Sequence, residues 1–181
     1  MIIRAAETTD AEGLAAIYGH HALHGFGTFE EEPPSAEEME RRRAAVAARG
    51  LPYLVAEEEG RVLGFAYAGP FRLRAAYRYT VEDSVYVAPD ALGRGVGREV
   101  LSAVLQACED MGLRQVLAVI GDSANAGSIG LHRALGFEDS GVARSVGFKH
   151  GRWVDIVFMQ KALNGGASRD PDAPGLSLFG V

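Results

Sequence analysis

Val81-Glu82-Asp83-Ser84-Val85-Tyr86-Val87-Ala88-Pro89-Asp90-Ala91-Leu92-Gly93-Arg94-Gly95-Val96-Gly97 reads as a strand, a turn, a glycine loop and the opening of a helix. From Val81 to Val87, valines alternate with Glu82, Ser84 and Tyr86, the period of a strand with one more polar face. Pro89-Asp90 turns the chain. Gly93, Gly95 and Gly97 then clear side chains from a tight approach, and Arg98 to Met111 carries Val100, Val104, Cys108 and Met111 at helical spacing. The first N–H groups of a helix lack partners and its dipole favours anions, so this succession is a cradle for phosphate.

Two common phosphate ligands do not fit it. A dinucleotide turn needs its first glycine directly after the strand and an acidic ribose ligand about 20 residues on. Here a linker including Pro89 intervenes, and the apolar strand Val116 to Ile120 occupies the acidic position. A nucleoside-triphosphate loop needs Gly-Lys-Ser/Thr, which this loop lacks.

Length and charge bound the rest. A chain of 181 residues suits one domain with a sizeable core. A net charge of −6 argues against nucleic acid or an anionic membrane as partner, and no apolar run is long enough to span a bilayer. The single cysteine excludes an internal disulfide. Met1-Ile2-Ile3 runs straight into a strand-like segment, and the cytoplasm is the expected compartment.

In order, the chain reads as a strand to Ala6 and a helix capped by Thr9 or Asp10 that runs to about His24. His20 and His24 on it have i, i+4 spacing but no third ligand nearby, and no metal is expected. Gly25 to Glu30 is a loop showing Phe26 and Phe29. Ser35 with Glu38 forms a capping box for a charged helix through Ala48. Tyr53 to Glu57 and Val62 to Ala68 form a hairpin, and Pro70 to Arg78 is a basic aromatic loop in an acidic chain. After the central strand and helix come a strand from Gln115 to Gly121 and a helix capped by Asn125 that ends at Gly136. Strands from Glu138 to Phe148 and from Arg152 to Gln160 follow, and Asn164 to Val181 reads as a mobile tail.

The loop Leu92-Gly93-Arg94-Gly95-Val96-Gly97 resembles the coenzyme A loop of the GCN5-related N-acetyltransferase (GNAT) superfamily, with Leu92 in place of the usual Gln or Arg. Asn125 to Phe137 resembles that family's second signature helix, with His132 where a Tyr is usual. Within the family the chain is most similar to the phosphinothricin/methionine sulfoximine N-acetyltransferases. Gly27 to Glu30, Tyr79 to Val87 and Gly147-Phe148-Lys149-His150-Gly151-Arg152-Trp153-Val154-Asp155 carry that likeness. The resemblance covers about Ile2 to Leu163. It implies an α/β (α+β) fold: a mixed, mostly antiparallel sheet flanked by helices and splayed at the central strand. Residues 1–163 would form the acyl-CoA N-acyltransferase domain and 164–181 a flexible tail.

The implied reaction moves an acetyl group from acetyl-CoA to the amine of a small amino acid or analogue, directly in a ternary complex and without a metal. An amine is mostly ammonium at neutral pH and must lose a proton before it attacks. Glu82 is the candidate base, directly or through a water, and Asp83 the lesser one because it points to the opposite face. His132 is the candidate for a proton or polar contact to the departing thiolate. The resemblance implies that Val85, Tyr86 and Val87 hold the pantetheine arm through backbone groups. Gly93, Arg94, Gly95, Val96 and Gly97 would hold the pyrophosphate, with Asn125 and Ser128 as further cofactor contacts. Phe29, Arg72, Arg74 and Tyr77 would bind the acceptor, an arginine fork taking its carboxylate. Lys149 and Trp153 would line the same site across a homodimer interface. A protein N-terminus or a polyamine is the alternative acceptor, and a non-catalytic acyl-CoA-binding module the alternative class.

Overall fold

A computed structural model describes residues 1–178. Seven strands form one sheet: β1 (Ile2–Ala5), β2 (Tyr53–Glu58), β3 (Arg61–Pro70), β4 (Thr80–Val87), β5 (Gln115–Gly121), β6 (Glu138–Lys149) and β7 (Arg152–Ala162). Four helices accompany them: α1 (Ala11–His24), α2 (Ala36–Ala47), α3 (Val96–Asp110) and α4 (Ala126–Ala134). The order across the sheet is β1-β2-β3-β4-β5-β7-β6, and β4–β5 is the parallel pair, joined through α3.

Local chemistry explains the main boundaries. Helix α3 buries Val96, Val100, Leu101, Val104, Leu105 and Cys108, an apolar stripe at three- and four-residue spacing. It starts two residues before the expected Arg98, because Gly95 in the left-handed region (φ 82°) turns the glycine loop directly into helix. Asn125 Oδ1 accepts from the Ser128 amide at 3.1 Å and caps α4, and Gly136 ends it at φ 84°. Ser35 caps α2 by accepting from the Glu38 amide. Asp10 does not cap α1 with its side chain. Its carboxylate accepts from the Glu7 amide at 2.8 Å and pairs with Arg4, closing the short 3-10 turn that precedes the helix.

The strand pairing contains the feature that makes a site. β4 and β5 pair from Thr80↔Gln115 to Asp83↔Ala118 and no further, although β4 continues to Val87 and β5 to Gly121. β3 follows β4 along its other edge as far as Gly64↔Val87. The sheet therefore forks after Asp83 and leaves one edge of Ser84–Val87 without a strand. Backbone groups on such an edge need another partner.

The two faces of β4 meet different helices. A Cβ added at Gly97 would touch the side chains of Val85 and Val87, so odd-numbered residues face α3. Tyr86 packs against Tyr18 and His21 of α1 with ring centroids 4.8 and 5.5 Å apart, so even-numbered residues face the other way.

The segment expected to be a mobile tail is anchored at several points along its described length. Asn164 Nδ2 donates to the carbonyls of Glu109 (2.7 Å) and Leu113 (3.0 Å). The buried Arg114 guanidinium donates to the carbonyls of Gly166 and Arg169. Leu176 and Leu178 join the core, and the Leu176 amide donates to Arg78 O at 2.7 Å. Sequence composition missed this because two leucines among Gly, Ser, Asp and Pro are enough to dock a strap. Positions 179–181 of that expectation lie outside the described residues. Leu176→Ala should lower unfolding free energy by about 2 kcal/mol, the lower end for a buried leucine. Unchanged urea unfolding in that variant would mean the strap is not docked.

Candidate active site

A cleft of roughly 630 Å³ opens from the fork. Its walls are Asp83–Val87 of β4, Ala118–Gly121 of β5, the loop around Gly93–Arg98, the start of α4 and the Phe26–Gly27 turn. At its mouth Gly93 (φ 74°) and Gly95 (φ 82°) hold conformations that other residues avoid, and a Cβ on either would meet open space. The first α3 hydrogen bond is donated by Glu99 to Gly95 O, so the amides of Val96, Gly97 and Arg98 have no partner inside the helix. The loop thus brings two left-handed glycines and free helix amides to the mouth of the cleft. The Arg94 guanidinium departs from it, turning to Glu58 at 2.5 Å, so Arg94 belongs to this loop through its backbone. Arg98 lines the cleft instead. A cation in the first turn of a helix opposes the dipole, an unusual placement that the sequence reading did not use.

Deeper in, the cleft is closed by a buried pair. His132 of α4 is 2% exposed, and its Nε2 lies 3.0 Å from Asp83 Oδ2. Its Nδ1 donates to Ser128 O at 2.7 Å. Burial works against the imidazolium, but the Asp83 hydrogen bond and charge outweigh it and raise the His132 pKa. Asp83 thus sits on the face opposite Glu82, as the alternation requires, but it is a partner of His132 rather than a solvent-exposed base. Val85 and Val87 face α3, and the Val87 carbonyl accepts from His21 Nε2 at 2.9 Å. His21 had no signal of its own beyond its place on the apolar face of α1. Asn125 and Ser128 line the cleft where the cap of α4 meets β5.

Across the sheet lies Glu82, beside the fork, with Gly69 and Leu117 as its cross-strand neighbours. Burial raises its pKa, Asp83 adds to the rise, and Arg72 pulls it back. Arg72 stacks on Phe71 at 4.8 Å, and Tyr77 meets the same ring edge-on at 5.6 Å. Arg74 is exposed in the same loop. Phe29 packs over Gly121 and Gly147, where an added Cβ would come within 3.2 and 2.2 Å of its ring.

Lys149 is the correction. It is 1% exposed, and its ammonium donates to Thr28 O at 2.8 Å, with His21 O at 3.5 Å. The side chain faces inward within its own chain, so Lys149 pins the Phe29 loop and does not line a substrate site. Tyr18, bonded to Thr28 and Glu30, and Arg42, paired with Glu30, hold the same loop. Trp153 is 63% exposed, packs on Phe148 and does not reach the cleft of its own chain.

The sequence model of the acetyltransferase (GNAT) family matches residues 16–137. The chain belongs to the GNAT family. This GNAT chain is 51% identical over 170 residues to a phosphinothricin N-acetyltransferase of Alcaligenes faecalis, spanning 94% of this chain and 86% of that protein. It is 42% identical over 163 residues to an L-methionine sulfoximine/L-methionine sulfone acetyltransferase of Pseudomonas paraeruginosa, spanning 90% and 94%. Its fold superposes with a TM-score of 0.90 on a phosphinothricin acetyltransferase from Sinorhizobium meliloti in complex with AcCoA, at 46% identity over 94% of this chain and 92% of that one. The seven-stranded, mostly antiparallel sheet flanked by helices is the fold of the family.

Proposed function

We propose that this protein transfers the acetyl group of acetyl-CoA to the amino group of a small amino acid or analogue of the phosphinothricin, methionine sulfoximine or methionine sulfone type. The observation that carries it is the fork: a glycine cradle at its mouth, a free strand edge along its length and Glu82 beside its closed end. The residues present fit coenzyme A. Open space at Gly93 and Gly95 leaves room for a pyrophosphate against the α3 amides, and the unpaired edge of Ser84–Val87 suits an extended amide-bearing arm.

When bound, acetyl-CoA supplies an activated acetyl thioester. Glu82 takes the amine proton, directly or through a water, and burial gives it a basicity above that of an exposed glutamate. A strand amide near Val85 holds the oxyanion. Arg74, Arg72 and Tyr77 bind the carboxylate side of the acceptor, and Phe29 bounds its side chain. The sense of charge favours this acceptor class over a protein N-terminus or a polyamine, which would call for an acidic groove. A merely acyl-CoA-binding module has no use for a half-buried carboxylate beside the fork. An acceptor screen with acetyl-CoA, following free thiol, tests the reading. Rapid release with phosphinothricin or methionine sulfoximine is expected, and release only with polyamines or peptides would overturn it. Arg74→Ala should raise KM for the amino acid more than it lowers kcat.

The working form in this reading is a cytoplasmic homodimer. Val142, Val146, Phe148 and Trp153 are 45–63% exposed on the β6–β7 hairpin, an apolar face that a second copy would cover. Trp153 would then border the partner's acceptor site. Light scattering should give twice the 19.3 kDa chain mass. A fully active monomer at assay concentration would refute the dimer. Among the described residues no helix is long and apolar enough to cross a membrane.

A further inference from the structure

The loop that carries Arg72, Arg74 and Tyr77 has little of its own to hold it in place. Residues 72–78, between the end of β3 and the start of β4, are all exposed. A loop that buries no side chain is not positioned by packing. Its inner bonds nonetheless make it one unit. The Tyr77 amide donates to Arg74 O at 2.9 Å, and the Arg78 amide and guanidinium both donate to Ala75 O at 3.2 Å. Where that unit stands therefore depends on what grips it from outside.

The grip comes from the C-terminal strap. The Leu176 amide donates to Arg78 O at 2.7 Å, and Leu176 itself is buried. Just before it, Gly175 (φ 74°) lies so close that a Cβ there would come within 2.8 Å of Arg78 O and of the Tyr79 ring. The strap is in turn anchored on the corner between α3 and β5. Asn164 holds the Glu109 and Leu113 carbonyls, and the Arg114 guanidinium, 4% exposed, takes the Gly166 and Arg169 carbonyls. A Cβ on Gly112 would come within 2.6 Å of Ala173. Pro171 and Pro174 fix φ between these anchors and the Arg78 contact, which removes slack. The Arg114 amide also donates to Tyr79 O at 2.9 Å, so one residue ties both the strap and the foot of the loop to the start of β5. The β4–β5 pairing begins there, at Thr80↔Gln115, and Glu82 follows on the same strand. Neither residues 70–79 nor residues 164–178 line the coenzyme cleft.

We propose that Gly175 and Leu176 are positioning residues for the acceptor: through Arg78 they set where Arg74 and Tyr77 stand relative to Glu82, and they touch neither substrate. This rests on the acetyl-transfer reading, in which that loop takes the acceptor's carboxylate. An arginine fork binds a carboxylate at full strength only when the two planes are aligned, so a small displacement of the loop weakens the acceptor's hold. Acetyl-CoA, bound by the walls of the cleft, does not register that displacement. The strap thus serves the second substrate alone.

Two substitutions test this in the full chain. Gly175→Ala forces a side chain against Arg78 O, and Leu176→Ala loosens the strap while keeping its amide. Each should raise KM for the acceptor amino acid about tenfold and lower kcat less than about threefold, because geometry of binding is lost and the base is untouched. Calorimetry should find acetyl-CoA affinity within about threefold of wild type in both. A variant that merely destabilises the fold lowers the active fraction, hence the apparent kcat, and leaves KM where it was. Leu105→Ala, a core truncation in α3, supplies that reference pattern. Leu176→Met keeps the amide and the bulk and should bring KM back to within about twofold of wild type. In an Arg74→Ala background the strap substitution should add less than about threefold, since it acts through that arginine. If Gly175→Ala does not fold, the two Leu176 variants still decide. Unchanged acceptor KM in Leu176→Ala, equal weakening of acceptor and acetyl-CoA, or losses that multiply in full with Arg74→Ala would overturn the proposal. Wild type that binds acetyl-CoA but releases no thiol with any amino acid would instead overturn the acetyl-transfer reading, and the strap's role with it.

Discussion

Glu82→Gln is expected to lower kcat by roughly 10²–10⁴-fold, the usual worth of a positioned base, while folding and acetyl-CoA binding survive. The substitution keeps the side chain's size and a hydrogen-bonding end but cannot take a proton. Glu82 is part-buried beside the fork, and its neighbours Gly69 and Leu117 offer no competing acceptor side chain. Burial, with Asp83 next in order, raises its pKa above the usual glutamate value, and Arg72 holds it down. The active form is the carboxylate, so wild-type kcat/KM should rise with pH through that raised value, later than an exposed glutamate would permit. The variant should lack this limb. Its deficit should shrink at alkaline pH, where more amine is already deprotonated. Near wild-type kcat across the pH range, on a saturating acceptor, would reduce Glu82 to strand surface. A water relay would then be the remaining route, because Asp83 is committed to His132 on the other face.

The outline of this site was legible because it depends on local rules. Alternation from Val81 to Val87 assigned Glu82 and Asp83 to opposite faces, the glycines at 93, 95 and 97 announced the cradle, and Asn125 announced the α4 cap. What stayed hidden was set by tertiary partners. The resemblance placed Lys149 at the acceptor site, yet its ammonium is enclosed by the loop carbonyls it holds. Asp83 and His132 are 49 residues apart, and no periodicity predicts that a strand and a later helix bring them to 3.0 Å. The resemblance placed Arg94 in the coenzyme loop, but its guanidinium turns to Glu58 at the end of β2. The docked strap was missed for the same reason, since Leu176 and Leu178 join a core assembled from distant segments and the Leu176 amide is held by Arg78 O.

Gly95→Asp should weaken acetyl-CoA binding on the order of 10²-fold or more without unfolding the protein. Gly95 adopts φ 82°, a region that Asp and Asn tolerate better than other side chains, and an added Cβ there meets nothing within 4 Å. Strain should therefore cost only about 1 kcal/mol. The new carboxylate would compete for the amides of Gly97 and Arg98 in the first turn of α3, taking donors that the pyrophosphate needs. It would also repel the phosphates: at about 4 Å and an effective dielectric near 20, two unit charges interact by about 4 kcal/mol before salt screening. The repulsion makes the loss salt-dependent, with affinity recovering in part at high ionic strength. Gly95→Asn separates the two contributions, since it takes the same backbone conformation and fills the same space without the charge. It should retain most of the affinity, and its calorimetric titration should change little with salt. Equal losses in the two variants would mean that the loop acts by shape alone. Unchanged affinity in Gly95→Asp would move the pyrophosphate away from the α3 amides, and with it the direction in which the bound arm enters the fork.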